Sequence, residues 1–221
     1  MKKALCIIII IALLAVGGTA AGVGVYRKQK IKTIESTVYP LTVDVNTLER
    51  KEFSGSYAFD IFKLEKFIGF VDYVFVGRVD KLVGTSYRDV IYMDDGRISA
   101  IPYTNYMVTV VRNIKGELQT GKSIPLAKHG GVSYDNKSLV IGNGDSLPQE
   151  GGYYIFSGYA DKNGELYIVD PNSSVPLDAS FESEKNSENI DSAIKKYVNA
   201  AKNQDTSVRL GERNKSKYEV K

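Results

Sequence analysis

The sequence predicts a mainly β fold, a small closed or partly open antiparallel barrel with one short helix before it and a C-terminal helix after it. Two observations carry this prediction. About five to seven short strands, rich in aromatic and β-branched residues, follow one another between turn signals over residues 57–178. Gly77 interrupts the most apolar of these strands, and a strand that coils through a small barrel needs such a bend or bulge.

The chain begins with an apolar run from Ala4 to Val25. Basic residues flank it on both sides: Lys2 and Lys3 before it, and Arg27, Lys28, Lys30 and Lys32 after it. About 20 apolar residues suffice to cross a bilayer, so the run predicts a membrane anchor. The alternative is a cleaved signal peptide followed by secretion, because small residues at 17–21 could form a cleavage site.

The orientation of the anchor follows from two opposing signals. More basic residues follow the run than precede it, and the positive-inside rule alone would keep the domain in the cytoplasm. The Met-Lys-Lys start and the small-residue end of the run are typical of an export signal, and long domains cross the membrane largely regardless of charge. We therefore expect a single-pass protein of the cell membrane with its domain on the extracytoplasmic side.

The charge of the remaining chain argues against nucleic acid as a partner. Six of the 29 basic residues lie in residues 1–32, which leaves 23 basic residues against 26 acidic ones in the rest of the chain. A nucleic-acid binder concentrates basic residues on its folded domain. The only cysteine, Cys6, lies in the apolar run, so the domain is predicted to have no disulfide.

Composition divides the chain into five segments. They are the membrane segment with its basic flank (1–32), a linker (33–56), the barrel (57–178), an amphipathic helix (179–202) and a polar tail (203–221). One short strand is expected in the linker, near residues 41–45. The tail is polar enough that we expect it to be disordered.

The helix before the barrel is predicted over Asp60–Phe70. Its apolar residues repeat at helical spacing, Asp60 is a good N-cap, and Gly69 is placed to end it. We expect this helix to cover Val74 and Val76 of the strand that follows.

The strands are predicted from apolar runs between turn residues. They span 72–79, 103–111, 123–128, 138–141, 151–159 and 165–169. Asp95-Gly96 predicts a hairpin with a type I′ turn, and Pro125 predicts an edge strand. Residues 189–201 carry apolar groups at helical spacing and predict a helix that packs on the barrel or meets a partner.

Four stretches together resemble a known surface-domain pattern: Val71–Val79, Tyr106–Val110 with Ile114–Gly116, Gly130-Gly131, and Gly151–Phe156. They are similar to the oligonucleotide/oligosaccharide-binding (OB) barrel of tissue inhibitors of metalloproteinases and netrin-like modules, and to uncharacterised cell-surface proteins of Gram-positive bacteria. The resemblance covers about residues 58–178 and implies an OB-like fold, while a fold alone does not fix an activity. The inhibitors chelate zinc through a disulfide-held amino-terminal cysteine, and this barrel has no cysteine, so that mechanism does not carry over.

Candidate binding residues cluster around the hairpin, and they are Tyr87, Arg88, Tyr92, Tyr103 and Asn105. Tyrosine and arginine are enriched where proteins bind partners, and aromatic faces also stack on sugars. The alternative is cross-strand packing, which tyrosine does well in sheets.

Catalytic and metal sites are weakly supported. His129 is the only histidine, and a hydrolase would need it beside a serine, such as Ser133 or Ser138, and an acid. Asp94-Asp95 and the run 161–165 could hold a hard cation, yet both are typical of hairpin turns. No zinc ligand set and no phosphate-binding glycine loop is present, and we predict no metal and no cofactor.

The sequence therefore predicts a non-enzymatic, membrane-anchored binding module of a bacterial cell envelope, with an envelope protein or a glycan as partner. The alternatives are an envelope hydrolase that uses His129 and a protease-inhibitor-like module that acts through an edge of the barrel.

Overall fold

The computed structural model describes residues 20–168, 171–177, 187–209, 211 and 213–220. Three α-helices lie in these ranges: α1 (Ala20–Glu35), α2 (Leu64–Phe70) and α3 (Ser187–Lys202). The strands are β1 (Val38–Tyr39), β2 (Glu49–Phe53), β3 (Tyr73–Tyr92), β4 (Ile98–Lys115), β5 (Ser123–His129), β6 (Gly131–Val132), β7 (Ser138–Gly142), β8 (Tyr153–Ala160), β9 (Leu166–Ile168) and β10 (Ser174–Leu177).

Five strands close into a barrel. They pair in the order β3-β4-β5-β9-β8, and β8 pairs back onto β3. Numbered along the barrel, this order is 1-2-3-5-4-1, and only the β5–β9 contact is parallel. The predicted OB-like barrel, with a short helix before it and a C-terminal helix, is confirmed.

Gly77 lies where β3 bends, as predicted. The pairing of β3 with β4 shifts register between Val76 and Gly77. A Cβ atom at this position would lie 2.7 Å from the Cγ1 atom of Val108 and 3.0 Å from the ring of Phe156. Only glycine therefore lets β3 approach the barrel interior this closely.

Apolar side chains fill the barrel interior because each strand turns alternate residues inward. The interior contains Tyr73, Phe75, Val79, Tyr106, Val108, Val110, Leu118, Ile124, Leu126, Tyr154, Phe156, Ala160, Leu166 and Ile168. Phe75 and Phe156 pack with ring centroids 5.4 Å apart.

Helices α2 and α3 cover the outer side of β3 and β8, here called the covered face. Phe67 and Ile68 of α2 are fully buried against Val74 and Val76, as the sequence predicts. Helix α3 adds Ile194, Tyr197 and Ala200 to the same cluster, so it packs back on the barrel. Helix α2 begins at Leu64, later than predicted, because the carboxylate of Asp60 accepts from the Phe62 amide in a turn.

Strands β3 and β4 extend beyond the barrel as a hairpin, here called the arm (residues 84–100). Its turn is not type I′: Asp94, Asp95 and Gly96 form a longer loop in which only Gly96 has a positive φ, at 85°. A small cluster of Ile34, Tyr87 and Val90 holds helix α1 against the arm.

The predicted linker has more structure than expected. Residues 41–45 form no strand; instead β1 pairs with β3, and β2 runs parallel to β7. Pro125 is opposite Met107 of β4 and precedes the stretch in which β5 pairs with β9, so β5 is an edge strand only at its start.

The tail is not disordered where the structure describes it. The hydroxyl of Tyr73 accepts from the Ser216 amide at 2.7 Å, and the Val220 amide donates to the carbonyl of Glu117 at 2.9 Å. Residues 213–220 therefore close the end of the barrel opposite the arm. A polar sequence did not reveal this, because most of these bonds use backbone atoms.

The predicted membrane run lies largely outside the described residues, which include only its last positions, 20–25. None of the described helices is long and apolar enough to cross a membrane.

Candidate ligand groove on the open face of the barrel

The outer side of β4, β5 and β9, here called the open face, carries a groove of about 590 Å³. Residues from six parts of the chain line it: Glu35, Ser36, Thr37 and Val38; Val83, Ser86 and Arg88; Asn105, Tyr106 and Met107; Pro125, Leu126 and Ala127; Glu165, Leu166 and Tyr167; and Lys217 and Tyr218. In OB-type barrels the second and third strands, here β4 and β5, form the ligand face. The groove thus occupies the position that such barrels use for binding.

Arg88 is the central cation of the groove. Its guanidinium lies 4.1 Å from the ring centroid of Tyr167 and 4.9 Å from that of Tyr103. One of its N–H groups donates to the hydroxyl of Tyr167. Among the described residues no carboxylate lies within ion-pair distance of Arg88, so its charge is held in place by two rings without a counter-ion from this part of the chain.

Both tyrosine rings that hold Arg88 are half-buried or buried. Burial raises the pKa of Tyr103 and of Tyr167, and the charge of Arg88 opposes that rise in both cases. The two phenols therefore stay neutral and act as hydrogen-bonding groups and flat apolar surfaces.

Aromatic rings continue from the groove across the open face. Tyr103 stacks on His129 at 5.2 Å between centroids, and His129 packs on Phe53 at 4.6 Å. On the other side Tyr167 lies 6.4 Å from Tyr159. A row of flat side chains thus spans four barrel strands and β2.

Polar groups of β3 and β4 lie next to Arg88. The amide nitrogen of Asn105 donates to the hydroxyl of Ser86 and to the carbonyl of Tyr103, both at 2.9 Å. These bonds fix the orientation of the Asn105 amide. Met107 and Pro125 add apolar surface beside it.

An ion pair lies at the end of the groove that β9 and the tail form. Glu165 pairs with Lys217 and accepts from the hydroxyl of Tyr218 at 3.0 Å. Where helix α1 borders the groove, the carboxylate of Glu35 accepts a hydrogen bond from the amide of Val90 at 3.3 Å. The groove thus has mixed charge, which disfavours a polyanion such as nucleic acid.

The structure brings together three of the five predicted binding residues. Arg88 and Asn105 line the groove, and Tyr103 borders it through its contact with Arg88. Tyr87 is buried in the arm, where its hydroxyl donates to the carbonyl of Val132 and burial raises its pKa to about 12. Tyr92 lies near the end of the arm, against Arg27 and Lys30 of helix α1.

His129 is placed by aromatic packing. Burial, with the nearby Lys128 charge, lowers its pKa. Ser133 instead bonds to Asp135 at 2.6 Å and to Ser138 at 3.1 Å. In the described part of the chain no hydrogen bond joins His129 to a hydroxyl or a carboxylate, which a nucleophile–histidine pair needs.

The two acidic runs serve turns. The carboxylate of Asp95 accepts from the amide of Arg97, and that of Asp161 accepts from the amides of Asn163 and Glu165. Over the residues that the structure describes, no group of three or more potential metal ligands comes together.

Sequence reasoning missed a buried ion pair inside the barrel, behind the open face. The ammonium of Lys128 lies 2.7 Å from a carboxylate oxygen of Asp145, with side-chain exposures of 0% and 3%. Lys128 shares the inward face of β5 with Ile124 and Leu126, and this period of two was the available signal. Asp145 comes from a glycine-flanked loop, and no local pattern predicts that such a loop turns a side chain into the interior.

Sequence reasoning also missed Tyr167 as a groove residue. It lies in a short apolar strand, and nothing in the sequence shows that its ring meets Arg88, 79 positions away.

A scan against protein-family models and a search of curated proteins find no match to this chain.

Proposed function

We propose that this protein is a non-enzymatic, membrane-anchored module that binds a ligand of a bacterial cell envelope in the open-face groove, on the extracytoplasmic side. The observation that carries the proposal is Arg88, held between two tyrosine rings at the ligand face of an OB-like barrel without an ion-pair partner among the described residues.

The chemistry of the groove favours a glycan chain that carries an anionic group such as a carboxylate. The planar guanidinium of Arg88 can donate two parallel hydrogen bonds to a carboxylate. The rings of Tyr103 and Tyr167 hold it in position before a ligand binds. The fixed amide of Asn105 and the hydroxyl of Ser86 suit sugar hydroxyls. Met107 and Pro125 offer apolar surface beside them.

The hydrolase alternative has less support. It requires His129 beside a serine and an acid, and the ring of His129 instead packs between Phe53 and Tyr103. The imidazole of His129 contributes a stacking surface in that position.

Binding of the full chain, in detergent, to arrayed oligosaccharides with and without carboxylates tests the proposal. We expect the acidic glycans to bind, and Arg88→Gln to weaken binding about tenfold or more, because a hydrogen bond to a charged group contributes about 1.5–3 kcal/mol. Arg88→Lys should recover little, since lysine lacks the planar fork.

Arg112 provides the matched control, because it is an exposed arginine of β4 that does not line the groove. Arg112→Gln should leave binding unchanged. Equal loss in the Arg88 and Arg112 variants would indicate nonspecific charge attraction and would contradict the proposal.

A further inference from the structure

Helix α1 runs along the arm toward its tip. Near the barrel, Ile34 is buried with Tyr87 and Val90. Further along, Arg27 and Lys30 lie 5.9 and 5.7 Å from the ring centroid of Tyr92. Helix α1 and β3 are therefore antiparallel, and going back along the helix from residue 34 to residue 27 leads from the barrel to the end of the arm.

This packing determines which residues of helix α1 lie beside the tip of the arm. Beyond Arg27, residues 20–25 extend the helix by about 10 Å at a rise of about 1.5 Å per residue. Beyond Tyr92, the strand and its loop reach about the same distance at about 3.3 Å per residue. The tip thus lies beside residues 20–25, where the apolar run that begins at Ala4 ends.

The surface at this level combines exposed apolar and basic side chains. Val25, Tyr26 and Ile91 are 66%, 62% and 60% exposed, and Met93 is 38% exposed. The basic side chains are Arg27, Lys28, Lys30 and Arg97.

Two acidic residues, Asp94 and Asp95, oppose these charges at the tip, and Asp95 is already paired with Arg97 at 2.6 Å. The basic residues therefore stay in excess. Apolar and aromatic groups beside basic ones are the composition of a protein surface that lies at the headgroup level of an anionic membrane.

We propose that the tip of the arm is a second membrane contact: Ile91 and Met93 enter the headgroup region, and the basic residues of α1 and the arm bind anionic lipid headgroups. This inference rests on the proposed membrane attachment. As a consequence, the arm and α1 together fix the orientation of the barrel relative to the bilayer and the distance of the groove from the bilayer.

The test uses the full chain in lipid vesicles with an environment-sensitive fluorophore on a cysteine at position 93 (Met93→Cys), the native Cys6 being replaced by serine. The matched control is Val111→Cys, because Val111 is 40% exposed and lies on β4 near the opposite end of the barrel. In vesicles that contain phosphatidylglycerol, we expect the label at position 93 to emit at shorter wavelength and to be quenched several-fold less by aqueous iodide than the label at position 111.

Charge dependence supplies the second readout. Vesicles of phosphatidylcholine alone, or the double variant Arg27→Gln/Lys28→Gln, should reduce the protection at position 93. Equal quenching at both positions in a protein that floats with the vesicles would overturn the second contact and leave the anchor intact. A chain that does not float with vesicles would overturn the membrane attachment itself and this inference with it.

Discussion

The two outer faces of the barrel are built differently, although the same kind of strand forms both. On the covered face, Val74 and Val76 of β3 lie under helices α2 and α3 and are fully buried. On the open face, the outward positions of β4 and β5 include Asn105, Met107 and Pro125, and they line a groove.

The difference separates residues that stabilise the fold from residues that are available to a ligand. Apolar burial dominates the covered face, and its contribution to stability is about 25 cal/mol per Å² of apolar surface. The open face has instead a cation between aromatic rings and fixed polar groups. Substitutions on the first face should change stability, and those on the second should change binding.

The largest effect is expected from Phe67→Ala on the covered face. Phe67 is fully buried in the cluster that joins α2 to β3, and its loss leaves a cavity. We expect the free energy of unfolding to fall by about 3–5 kcal/mol. Urea unfolding measures it, with Met107→Ala on the open face as the comparison, where a loss below about 1 kcal/mol is expected. Equal losses at the two positions would break the distinction between the faces.

A similar loss is expected inside the barrel from Asp145→Asn, which removes the carboxylate that pairs with the buried ammonium of Lys128. Removing one partner of a buried ion pair costs about 3–5 kcal/mol. The double variant Lys128→Met/Asp145→Leu should recover most of it, because both buried charges are then gone. Urea unfolding of the wild-type protein, the single variant and the double variant checks this. A double variant as unstable as the single one would show that packing, and not charge, determines the loss.

A smaller effect is expected from pH through His129. Burial lowers its pKa in the folded state below the ordinary value of 6.5, so the unfolded chain binds the proton first as pH falls. The neutral His129 therefore contributes fully to the free energy of unfolding above pH 6.5. This contribution decreases as the pH falls from 6.5 toward the folded-state pKa.

The variant His129→Phe keeps a ring between Phe53 and Tyr103 and removes the titration. The difference in unfolding free energy between the wild-type protein and this variant, measured from pH 7.5 down to pH 5, should therefore shift in favour of the variant. A difference that stays constant with pH would contradict the burial of a neutral imidazole.

The sequence was informative where a local pattern sets the structure. The helical spacing of Phe67 and Ile68, the bend at Gly77 and the strand alternation in β4 are local, and together they predict the barrel and its covered face. Asp95-Gly96 predicted a hairpin correctly and its turn type wrongly, because loop length depends on how the flanking strands pair.

The groove could be predicted only in part. Arg88, Tyr103 and Asn105 are close in sequence to the hairpin, so tyrosine density pointed to them. The same tyrosine density included Tyr87, yet its side chain is buried in the arm. Tyr167 and Lys217 come from distant segments. The closed barrel brings Tyr167 to Arg88, and the tail brings Lys217 to the same groove.

Photo-crosslinking in intact cells can identify directly which face of the barrel meets a ligand. A photo-crosslinking residue at Met107 samples the open face, and one at Phe62, which is 78% exposed beside the covered face, serves as the control. If the open face binds the ligand through Arg88, we expect a discrete crosslinked species from position 107 that disappears with Arg88→Gln, and none from position 62. Crosslinks of equal yield from both positions, or a species at position 107 that is insensitive to Arg88, would contradict binding at the open face through Arg88.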